Sequence, residues 1–86
     1  MHEASVMRAL MRGLLAAAAQ AGARRVTAVT VRLGALSHMS PGHFREHFAQ
    51  AAAGTLAADA RIETLVETDI ASPTAADVVL EAFECE

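Results

Sequence analysis

Apolar positions recur along this chain in two different rhythms. Over residues 4–21, Val6, Leu10, Leu14, Ala17 and Ala21 return at three- and four-residue steps, which gives a helix one apolar face. Ser5 is a candidate cap, Gly22 is a natural stop, and Arg8 and Arg12 lie four apart on a solvent face. Gly13 is either a weak point inside this helix or a place where another backbone packs closely. The rhythm then shortens. In RRVTAVTVRLG, residues 24–34, Val29, Val31 and Leu33 alternate with Ala28, Thr30 and Arg32. That pattern predicts a strand with one apolar and one mixed face, as in a sheet covered on one side only. ALSHMS reads as a loop.

SPGHFREHFAQAAAG predicts a second helix, with Ser40 as its N-cap and Pro41 in its first position. Phe44, Phe48 and Ala51 or Ala52 form its buried stripe, and Gly54 closes it. A second strand is expected over residues 61–69, with Ile62, Thr64 and Val66 on one face. IASPTAA, containing Pro73, is a short linker. A third strand follows over residues 77–86, DVVLEAFECE, and its acidic residues suggest an exposed edge. A strand-helix-strand unit prefers a parallel, right-handed crossover. The short last connection predicts an antiparallel hairpin between the second and third strands. The expected fold is α+β, a small mixed three-stranded sheet with two helices packed on one face, in the order α-β-α-β-β.

A chain of 86 residues is enough for a single small domain. Its hydrophobic fraction of 53% overstates the core, because 21 of those residues are Ala. A core this small is marginal, so a partner or a metal can add stability. The net charge is -3, with seven Arg scattered along the chain and no Lys, so no basic stripe tracks a phosphate backbone and nucleic acid is not an expected partner. GLLAAAA after Arg8 and Arg12 mimics a signal peptide, but it holds only two leucines and Glu3 stands where such a segment is basic. No stretch approaches the roughly 20 apolar residues of a membrane span. Cys85 is the only cysteine, which rules out an internal disulfide or a Cys-rich zinc site within these residues and suits a reducing, cytoplasmic compartment.

Three groups of residues carry candidate chemistry. At the N-terminus the Met1 amine, the deprotonated His2 amide and the His2 ring nitrogen can close two fused chelate rings. Three nitrogens in one plane suit Ni(II) or Cu(II), and a fourth corner stays open for Glu3, another side chain, water or a partner. The plain alternative is an exposed terminal histidine without a role. The second group is His38, His43 and His47, of which the last two lie four apart on a helix and share a face. HFREH matches the H-x-x-E-H pattern of one metalloprotease class, but that site needs a further ligand from a helical region, and only strands are expected after His47. A hydrolase built on His43, Glu46 and His47 is therefore not expected; one or both histidines could simply border the core. Third, Glu84 and Glu86 flank Cys85 and disfavour its thiolate, so a nucleophilic thiol is not expected.

MHE at the N-terminus, GARRVTAVTVRLGALS, SPGHFREHF, GTLAADARIE and the closing LEAFECE together resemble the HypA/HybF nickel metallochaperones. The resemblance runs in register from residue 1 to about 68 and again over about 78–86. It implies maturation of [NiFe]-hydrogenase, and in some organisms urease, and it is not the resemblance of an enzyme. By it, His2 carries over as the nickel ligand, together with Met1 and Glu3. It also implies a hydrogenase-maturation GTPase or the hydrogenase large subunit as partner, with weak self-association allowed and no membrane partner. Family members insert a zinc domain with two C-x-x-C pairs between the second and third strands; here a linker near residues 70–76 bridges that gap, so structural zinc is not expected. Residues 1–86 are then one nickel-binding domain. Ser40 stands where some members carry an acidic residue that approaches the nickel, and His38 is the candidate additional ligand for that place. The competing expectation is an interaction adaptor derived from the same family that no longer handles metal, docking through its edge strand and the Arg8/Arg12 face.

Overall fold

The computed structural model describes residues 3–86. Its elements are α1 (Glu3–Gln20), β1 (Val26–Leu33), α2 (Pro41–Ala52), β2 (Arg61–Val66) and β3 (Val78–Cys85). The element order is as the patterning predicts.

Helix α1 opens with an acidic residue, Glu3, in its first turn, where a negative charge offsets the helix dipole. Ser5 therefore lies inside the helix and does not cap it. The far end closes as expected. Gly22 takes a left-handed φ of 69°, the Gly22 N–H donates to the Ala19 carbonyl, and the Ala23 N–H donates to the Ala18 carbonyl. This paired arrangement satisfies two carbonyls that the helix would otherwise leave open. The buried stripe is Met7, Leu10, Met11, Leu14 and Ala18, one position round from the expected one. Val6 and Ala17 are half-buried and Ala21 is exposed. The rotated face wins because two methionines bury more apolar area than a valine and two alanines.

β1 is the central strand. It pairs in parallel with β2 and antiparallel with β3, in the order β2-β1-β3. The register against β3 slips between Val26 and Ala28 and again between Thr30 and Val31. The first slip inserts an extra residue in β1, so Val26 is buried with Val29, Val31 and Leu33 although its parity differs. Both helices join that apolar face in one core cluster containing Leu14, Phe44 and Phe48. The opposite face carries Arg32, paired with Glu81 at 2.5 Å and Glu67 at 3.7 Å. Glu81 beside it, with Glu67, raises the guanidinium above its ordinary pKa.

The expected hairpin does not form. β3 returns on the far side of β1, so both β2 and β3 are edges. The physical reason is burial: β1 is the most apolar strand and gains a partner on each flank. The connection over residues 67–77 crosses the end of β1 to get there. At the crossing Gly34 donates its N–H to the Asp77 carbonyl, and a Cβ at Gly34 would lie 2.2 Å from the Ala75 carbonyl oxygen. β2 also ends at Val66, three residues short of its expected end, where that connection begins.

Candidate metal centre

α2 is positioned by local chemistry at its start and by burial along its length. Ser40 caps it, its hydroxyl accepting from the His43 N–H at 3.2 Å, and Pro41 takes the first helical position. Phe44 and Phe48 are 0% and 2% exposed, which fixes the rotation of the helix. His43 and His47 each precede a buried phenylalanine by one residue. A step of about 100° round the helix puts both rings at the border of the core, on one face. Their ring centroids are 4.6 Å apart and stacked at 30°.

α1 supplies the third group. Glu3 lies one turn before the buried Met7, so it projects on the side that packs toward α2. Its Oε2 stands 2.9 Å from His43 Nε2 and 3.3 Å from His47 Nε2. The two Nε2 atoms are 2.8 Å from each other. The side chains of Glu3, His43 and His47 are 41%, 42% and 35% exposed, so the group sits at the surface with one side open. Two imidazoles and a carboxylate are a donor set for divalent transition ions.

Met1 and His2 lie outside the described residues. His38 is exposed, with a left-handed φ of 57°, and stands outside this group. Glu46, the acidic residue of the H-x-x-E-H pattern, is exposed and also outside it; the carboxylate facing the two histidines comes from the other helix. Cys85 is exposed at the end of an edge strand. Helical spacing alone pairs His43 with His47. Glu3 joins them through the packing of α1 on α2, for which the sequence carries no local signal.

A family profile described as hydrogenase/urease nickel incorporation, metallochaperone, hypA, matches residues 1–72. The chain belongs to the HypA family. A hydrogenase maturation factor HypA from Archaeoglobus fulgidus is 39% identical over 67 residues, covering 78% of this chain and 61% of that relative. The chain thus spans about three fifths of that HypA's length. The HypA profile match ends before β3, the strand that completes the sheet. The connection leading to β3 carries no cysteine. Among the described residues, no helix is long and apolar enough to cross a membrane.

Proposed function

We propose that this protein is a nickel metallochaperone for maturation of [NiFe]-hydrogenase or urease, holding Ni(II) at Met1, His2 and Glu3. The observation that carries the reading is membership of the HypA family, with a match that includes the Met-His-Glu segment. The chemistry of that segment agrees with it. An amine, an amide and an imidazole close a planar three-nitrogen chelate suited to Ni(II), and its open corner lets a receiving protein enter by ligand exchange. His38 is retained as an additional ligand in this proposal. The partners proposed are a hydrogenase-maturation GTPase and the hydrogenase large subunit, in the cytoplasm. Residues 1–86 act as one nickel-binding domain without structural zinc; supporting this, Cys85 is the sole cysteine and the β2–β3 connection closes the sheet directly.

The test uses protein with its native Met1 against the same protein with one extra residue before Met1. Nickel in the planar chelate is diamagnetic with a visible absorption band. That band is expected in the native form, absent in the extended form and absent in His2→Ala. A band that survives the extension would overturn the terminal site.

A further inference from the structure

The geometry points to a second metal site in the same molecule: Glu3 Oε2, His43 Nε2 and His47 Nε2 bind a divalent first-row transition ion as three ligands on one face of an octahedron. The site stands on side-chain geometry; it shares Glu3 with the segment proposed above to hold nickel, and the Met1 and His2 nitrogens are what distinguish the terminal chelate from it. Only the choice of nickel as its ion rests on the function proposed above.

Distances carry the first part of the argument. An ion about 2.1 Å from each of three cis donors needs those donors roughly 3.0 Å apart, whereas a tetrahedral edge is closer to about 3.4 Å. The three separations are 2.8, 2.9 and 3.3 Å. Two of the edges stand close to octahedral spacing, and the His47–Glu3 edge closes by about 0.3 Å to reach it.

Protons carry the second part. A neutral imidazole Nε2 offers either one N–H or one lone pair. If both rings donate to Glu3, two N–H groups oppose each other across 2.8 Å. If one ring accepts from the other, its remaining Nε2 surface has no proton to offer the Glu3 oxygen at that edge. With Glu3 as a carboxylate, every assignment leaves one edge of the triangle repulsive. A single cation facing three lone pairs makes all of the contacts favourable.

The supporting shell is in place. Buried Phe44 and Phe48 lock the rotation of α2, and buried Met7 holds the first turns of α1. The triangle is rigidly mounted yet open on its solvent side, so three further positions are available to water or an incoming ligand. One peptide bond separates Glu3 from His2. The second site thus holds its ion at the residue next in sequence to the proposed planar chelate, and serves as a capture station for it.

The experiment titrates NiCl2 into the full chain carrying one extra residue before Met1, which disables the terminal chelate and keeps Glu3, His43 and His47. Calorimetry should show one bound ion, and NMR should show paramagnetic shifts on the His43 and His47 ring protons, as octahedral Ni(II) requires. His43→Asn and His47→Asn, each in the extended background, should weaken binding roughly tenfold or more, and Glu3→Gln should weaken it too. Glu46→Gln in that background, at an exposed carboxylate on α2 outside the group, should leave binding unchanged. Circular dichroism checks that each variant is folded, and the three side chains are exposed enough to be replaced. Absent binding in the extended protein, or binding indifferent to His43 and His47, would overturn the site. Failure of the terminal chelate shows separately, as a missing diamagnetic band in the native form, and leaves this titration untouched.

Discussion

Gly13 lies in the middle of α1 on an exposed face, and a Cβ placed there would meet nothing within 4 Å. Of the two readings its position allows, close backbone packing is therefore excluded and the weak point remains. Glycine in a helix interior costs backbone entropy that alanine does not. Gly13→Ala should raise stability by about 0.5–1 kcal/mol in urea unfolding, with no change in fold. A destabilised variant would mean that a neighbour stands closer to Gly13 than the open space described. Ser40 shows what a single residue can reveal in advance, since its cap depends only on the next three residues. Ser5 has the same chemistry in a segment where the helix starts earlier, and its hydroxyl plays no capping part.

At the scale of elements, the 67–77 connection decides the topology. It carries the chain across the end of β1 and sets β3 beside β1, not beside β2. Gly34 is the residue that permits the crossing, because a side chain there would overlap the Ala75 and Thr74 carbonyl oxygens. These are backbone atoms and cannot swing away. Gly34→Ala should destabilise the protein by about 1–3 kcal/mol, read as a lower denaturant midpoint. A neutral result would place the connection farther from β1 than described. The two register slips belong to the same scale. They reconcile a central strand whose apolar positions change parity after Val26 with a partner strand that must follow its twist.

Across the whole molecule, one core carries both the fold and the candidate metal centre. Phe44, next to His43 in the chain, is fully buried and lies tilted against Phe48, with ring centroids 5.8 Å apart. Phe44→Ala should cost about 3–5 kcal/mol, a large share of the roughly 5–15 kcal/mol available to a small domain. A thermal melt by circular dichroism should therefore show a much lower midpoint. An unchanged midpoint would mean that α2 is not anchored through Phe44. By itself, the sequence determined the two helices, the three strands, the glycine stop of α1, the serine cap of α2 and the shared face of His43 and His47. Each of these rests on forces among near neighbours in the chain: hydrophobic period, cap hydrogen bonds and left-handed backbone at glycine. It also carried enough of the MHE, VRLGALS and GTLAADARIE segments to make the family legible. Tertiary structure alone decided which face of α1 turned inward, that β1 lies between two edge strands, and that Glu3 meets the two histidines. Those outcomes depend on how much apolar area each packing buries between segments far apart in sequence, a quantity that no local pattern contains.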